Sequence, residues 1–112
     1  MQAPLLKYRV LPTGRIGIDE LRGYVVRTFG WDTWRQTSAQ IQETIAHIRQ
    51  FQESGHVPAE LEGFVDDHFR QALSGKNRII YQVRDDTIFI HLVVDARRDL
   101  QALLQRIVLR LM

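Results

Sequence analysis

Any chemistry in this chain must come from arginine, histidine, tyrosine and carboxylate side chains, because its 112 residues include no cysteine. A thiolate zinc site, a cysteine nucleophile and a disulfide scaffold are thereby excluded. Arg97 and Arg98 stand side by side where a strand gives way to a helix start, and two adjacent guanidinium groups there can reach an acidic partner or a phosphate bidentately. Arg78 opens another strand beside a turn, and a pairing with Asp85, Asp86 or Asp95 would account for it without any target. His68, Tyr81 and His91 are the acid–base groups of the same region. His91 shares a strand side with Phe89 and Val93, which suits a half-buried histidine held by a structural hydrogen bond. Tyr81 alternates with Ile79 and Val83, which suits a core ring with its hydroxyl at the edge. His47 and His56 have no second ligand at metal spacing, so neither a metal nor a cofactor is expected.

The elements that position these groups begin with two strands, Arg78 to Arg84 and Thr87 to Val94, both rich in β-branched and aromatic residues. Asp85-Asp86 separates them as a two-residue turn, which predicts an antiparallel hairpin. Asp99 can then cap a C-terminal helix whose Leu100, Leu103, Leu104, Ile107, Val108 and Leu111 share one face. Upstream, Leu5 to Leu11 is a short strand stopped by Pro12-Thr13-Gly14. From Ile18, the positions Leu21, Val25, Thr28 and Phe29 keep helical spacing, and Gly30 sits where a left-handed C-terminal residue is needed. Asp32-Thr33 opens a second helix, with Gln36 completing a capping box and Trp34, Ile41, Ile45, Ile48 and Phe51 on one face, ending near Ser54-Gly55. The short link between the two helices implies a helical hairpin. After an irregular, acidic connection, His68 to Leu73 forms a strand that pairs with Arg78 to Arg84 across Ser74-Gly75-Lys76-Asn77.

The expected order is β-α-α-β-β-β-α. This is an α+β domain spanning residues 1–112, its helical hairpin and C-terminal helix packed on a curved, mainly antiparallel four-stranded sheet. The size suits one domain with one core.

Net charge is +2, distributed unevenly along the chain. Residues 1–39 carry six basic and three acidic side chains, residues 76–112 carry seven and four, and residues 40–75 hold two basic against six acidic. That is +3, +3 and −4, too small an excess for a protein that lives on ribosomal RNA, where clustered Lys and Arg release counterions. The start MQAPLLKYRV lacks the apolar run of a signal peptide, and no stretch reaches the roughly 18 apolar residues of a membrane span. A cytoplasmic protein without membrane contact is expected, in keeping with the absence of cysteine.

Three stretches carry a family resemblance: Gly75 through Arg78 leading into Ile79-Ile80-Tyr81-Gln82-Val83; the arginine-containing run Val93-Val94-Asp95-Ala96-Arg97-Arg98-Asp99-Leu100; and Phe29-Gly30-Trp31 followed by Ile41 and Ile45. With this element order, the chain resembles the RelE/ParE superfamily of small bacterial toxins from type II toxin–antitoxin modules, and the third stretch resembles the ParE branch. The resemblance implies growth inhibition, plasmid stabilisation, and a hetero-oligomer with a cognate antitoxin whose disordered segment folds on the toxin. Ile107, Val108 and Leu111 would form part of its groove. ParE-like toxins inhibit DNA gyrase, whereas RelE-like toxins cut messenger RNA in the ribosomal A site.

The nuclease alternative implies Arg78 and Arg98 on the scissile phosphate, with Tyr81 or His91 moving protons. Two departures disfavour it. Leu104 stands where RelE-like enzymes have a functional tyrosine, and Asp66-Asp67-His68-Phe69-Arg70 replaces their basic segment. The expectation is therefore a ParE-like gyrase inhibitor that uses Arg78, Arg97 and Arg98 on its target.

Overall fold

The computed structural model describes residues 5–51, 55 and 69–97 of the chain. Strand β1 (Lys7–Val10) leads into helices α1 (Pro12–Phe29) and α2 (Trp31–Gln50), and a meander of β2 (Phe69–Ser74), β3 (Asn77–Arg84) and β4 (Thr87–Asp95) follows. The expected β-α-α-β-β-β order is observed. The C-terminal helix expected from Asp99, with its apolar face from Leu100 to Leu111, lies outside the described residues.

The strands form one open sheet in the order β1-β4-β3-β2, with β1 parallel to β4 and the other pairs antiparallel. The Asp85-Asp86 turn is as expected. The β2–β3 turn is tighter than expected, because Ser74 and Asn77 already pair and only Gly75 and Lys76 remain between them. Gly75 takes φ 58°, a left-handed conformation that glycine adopts without a Cβ penalty.

Helix α1 starts six residues before the expected Ile18. Pro12 occupies its first turn, where the missing N–H has no intrahelical partner to lose, so the residue expected to end β1 opens the helix. This early turn matters because β1 has only four residues and leaves β4, on the side away from β3, without a strand neighbour beyond Ile90. Helix α1 fills that place. The Leu11 N–H donates to Ile90 O at 3.0 Å and the Thr13 hydroxyl to His91 O at 2.6 Å. Gly14 and Gly17 lie directly on β4, where a Cβ on either would meet the Ile90 or Val93 carbonyl at 2.7 Å.

Helix α2 also departs from expectation at both ends. It starts at Trp31, with Gly30 as N-cap and no side-chain cap, and it stops at Gln50. The Thr33 hydroxyl donates back to Phe29 O and caps nothing. Gly30 serves both helices at φ 94°, closing α1 through N–H donation to Val25 O and Val26 O.

One core lies between the helices and the sheet. Leu21 and Val25 from α1 and Ile41, Ile45 and Ile48 from α2 pack on Ile79, Tyr81, Ile88, Ile90 and Val93, with Trp34 partly buried against them. Thr28, Phe29 and Phe51, expected on the buried faces, are exposed. Val93 belongs to this core and not, as strict alternation implies, to the side of His91. The register explains the difference: Ile80 pairs with Leu92 and Tyr81 with Ile90, so His91 is an extra residue, a β-bulge that resets the alternation of β4. On the other sheet face Ile80, Leu92, Val94 and Gln82 are buried as well.

Candidate target-recognition site

The described arginines expected to reach a target are Arg78 and Arg97, which lie at the same end of the sheet. Asn77 pairs with Asp95, and the Ala96 N–H donates to Lys76 O at 2.7 Å, so the start of β3 and the end of β4 are adjacent. The two side chains nevertheless take opposite sides. Arg78 alternates with core residue Ile79 and therefore leaves the face turned from the helices, where its Nε donates to Gln71 Oε1 at 2.8 Å. It does not use the Asp85, Asp86 or Asp95 partners named above as its alternatives: Asp86 pairs with Lys7, and Asp95 pairs with Arg97.

Arg97 turns to the helix side. Its Nε donates to Asp95 Oδ1 at 3.1 Å and its Nη2 to Asp95 Oδ2 at 3.0 Å, while its own backbone N–H donates to Oδ1 at 2.8 Å. These bonds hold the Asp95 carboxyl below its usual range, and the carboxylate with the neighbouring Tyr24 hydroxyl raises the guanidinium. The fork expected to grip an outside anion is thus occupied from within the chain, although the side chain stays 68% exposed. Arg98, Ile107, Val108, Leu111 and His68 lie outside the described residues.

The acid–base candidates do not converge. Tyr81 is fully buried on the core face, where its hydroxyl is hydrogen-bonded to the Gly55 backbone, and burial raises its pKa above the ordinary 10.0. His91 belongs to the other face, with Nε2 2.9 Å from Gln82 Oε1 and its ring against Phe69 at 4.9 Å. Burial first, and Arg84 second, lower its pKa, so the neutral imidazole is favoured. His91 is the half-buried, hydrogen-bonded histidine read from the sequence, and Tyr81 is the core ring, but its hydroxyl is buried and not at an edge. His47 stacks on Phe51, and among the described residues no group of three His, Cys, Asp or Glu could hold a metal.

What the structure adds is a cleft of about 670 Å³ between α1 and the end of β4. Leu21, Val93 and Val94 supply apolar wall, and Asp19, Glu20, Tyr24, Arg27, Asp95 and Arg97 supply polar wall. Tyr24 and Arg27 were not singled out by the sequence reading. Their spacing of three places them on one helix face, but that alone looks like ordinary helix surface.

A family model described as ParE toxin of type II toxin–antitoxin system, parDE, matches residues 17–107, from within α1 through the whole meander. The chain belongs to this ParE toxin family. It is accordingly a toxin of the type II toxin–antitoxin class within the RelE/ParE superfamily. The ParE fold is similar to a chain of the chromosomal ParDE system of P. aeruginosa, at 13% identity over 81% of this chain and 96% of that one, with a TM-score of 0.66. It is also similar to a chain of the RelBE2 toxin–antitoxin complex of Mycobacterium tuberculosis, at 17% identity over 84% of this chain and 94% of that one, with a TM-score of 0.57. No curated protein matches the chain. Among the described residues of this ParE-family chain, no helix is long and apolar enough to cross a membrane.

Proposed function

We propose that this ParE-family toxin arrests growth by binding DNA gyrase in the cytoplasm through protein–protein contact, and that a cognate antitoxin neutralises it in a hetero-oligomer. The observation that carries the reading is the separation of the groups that RNA cleavage would need. A 2′-hydroxyl attack requires a proton acceptor, a proton donor and a phosphate-binding cation around one phosphate. Here Tyr81 and Arg78 leave opposite faces of β3, and the Tyr81 hydroxyl is tied up in the core. His91 is held by Gln82 in a setting that disfavours its charged form. The ParE family match adds to this, as does the antitoxin partner named for both structural neighbours.

In this reading Arg98 contacts the target, Arg97 holds that junction in place through its pair with Asp95, and Arg78 supports the same end of the sheet through Gln71. The test is ATP-dependent supercoiling of relaxed plasmid by purified gyrase, titrated with antitoxin-free protein. Inhibition is expected, and it should weaken about tenfold or more in an Arg97→Ala/Arg98→Ala variant. Full supercoiling in the presence of folded toxin would reject gyrase as the target.

A further inference from the structure

A target contact at Arg98 leaves one neighbouring charge without a role, the Lys76 ammonium on the β2–β3 turn. The turn is fixed against the end of β4. The Ala96 N–H donates to Lys76 O at 2.7 Å, Asn77 pairs with Asp95, and Gly75 turns at φ 58°. From α2, Gln40 lies against the turn, its Oε1 standing 2.8 Å from where a Cβ on Gly75 would be. Lys76 is thus bonded through its backbone to Ala96, two positions before Arg98 in the chain.

The Lys76 side chain is exposed and uncommitted. Lys7 pairs with Asp86, Arg22 with Asp19, Arg35 with Asp32 and Arg97 with Asp95, whereas no carboxylate among the described residues lies within ion-pair distance of Lys76. Asp95 is near enough to feel the Lys76 charge, but both its oxygens are held by Arg97. The acid that could have neutralised Lys76 is therefore engaged elsewhere.

The charge at this end of the sheet decides what can bind. Lys76, Arg97 and Arg98 stand against Asp95 and Asp99, three positive groups against two negative. An anionic partner is favoured, but so small an excess supplies little of the counterion release that holds a nucleic-acid backbone. An ammonium on a flexible stem is a compact point charge, which suits one carboxylate on a protein surface.

We infer that Lys76 is a further target-binding residue, a cation on the β2–β3 turn that meets an acidic side chain of the target protein beside the contact made by Arg98. The inference rests on the reading that the toxin acts by protein contact, and it adds a second strand end to the contact surface. Arg97, by holding Asp95, keeps Lys76 available.

The experiment compares wild type with Lys76→Glu and Lys76→Arg, and with Arg84→Glu, the same charge reversal at the other end of β3. Growth arrest on induction is one readout, and binding of the purified proteins to DNA-free gyrase subunits and to a short single-stranded RNA is the other. Lys76 is bonded to β4 through its backbone carbonyl, which either substitution leaves in place, so both variants should fold, which thermal unfolding checks. Lys76→Glu is expected to weaken gyrase binding by about tenfold or more and to relieve growth arrest, whereas Lys76→Arg and Arg84→Glu stay near wild type. If wild type arrests growth while binding neither gyrase nor RNA, and Lys76→Glu alone relieves the arrest, the gyrase reading fails and the Lys76 contact stands. Should Lys76→Glu arrest growth as wild type does, or Arg84→Glu lose as much as Lys76→Glu, the Lys76 proposal is overturned whatever gyrase shows. RNA binding that is lost in Lys76→Glu would overturn it as well.

Discussion

Arg97 and Asp95 close a two-point ion pair at the end of β4, with Nε on Oδ1 at 3.1 Å and Nη2 on Oδ2 at 3.0 Å. The geometry is that of guanidinium–carboxylate recognition, made inside the chain, two residues apart. It converts an arginine that could have reached outward into part of the scaffold at the junction where β4 ends.

Asp95 should therefore show in the acid limb of stability. The Arg97 hydrogen bonds hold its folded pKa below the ordinary 3.8, so the unfolded chain takes up a proton first as pH falls. The stabilisation is complete above about pH 4 and is lost as pH falls through the folded value. Urea unfolding followed downward from pH 5 checks this. Asp95→Asn should be less stable than wild type at pH 5 and should lose less on acidification.

His91 acts in a different window. Burial lowers its folded pKa below 6.5, so between the two values the unfolded state binds more protons. Stability should be full above about pH 6.5 and should decline from there as pH falls towards the folded value. In His91→Gln that part of the pH dependence should be flat. Equal slopes in the two proteins across pH 7 to 5 would rule out this assignment.

Tyr81 tests whether the meander holds a catalytic hydroxyl. Removing the oxygen in Tyr81→Phe leaves the Gly55 backbone group without its partner in a buried setting, a loss of about 1–2 kcal/mol in unfolding free energy. Growth arrest at a temperature where the variant is folded should be unchanged. A folded Tyr81→Phe protein that no longer arrests growth would put the nuclease alternative ahead of the gyrase reading.

Ser74 offers a gain. It is 2% exposed, and its hydroxyl is the one buried side-chain group among the described residues that finds no hydrogen-bond partner. Because an unpaired hydroxyl in an apolar site is unfavourable, Ser74→Ala should raise stability by about 1 kcal/mol, read as a higher urea midpoint at unchanged slope.

The sheet was legible in the sequence wherever a strand keeps strict alternation, as β3 does from Arg78 to Val83. It was not legible at His91, because a bulge is a property of the pairing: only the register with Ile80 and Tyr81 shows that β4 holds one residue more. Pro12-Thr13-Gly14 has turn composition and becomes a helix start, since the Pro lacks only an N–H that the first turn leaves free. For the site, Arg97 could be picked out by its place at a strand end. Tyr24 and Arg27 could not, because their significance depends on α1 lying against β4, which local spacing does not encode.

That docking rests on Gly14 and Gly17. Alanine exceeds glycine in helix propensity by about 1 kcal/mol, so on local grounds both substitutions should stabilise α1. Tertiary contact opposes this. The added Cβ would stand 2.7 Å from the carbonyl oxygen of Ile90 in one case and of Val93 in the other, and backbone cannot give way as a flexible side chain does. Overpacking of this kind costs about 1–3 kcal/mol, so each substitution should lower stability by about 1 kcal/mol net, the middle of the resulting range. Both sites press the same helix onto the same strand, so the double variant should depart from additivity, the first displacement relieving the second. Chemical denaturation of the two single variants and the double variant measures this. If Gly17→Ala proved as stable as wild type, α1 would not be held to β4 by close backbone approach.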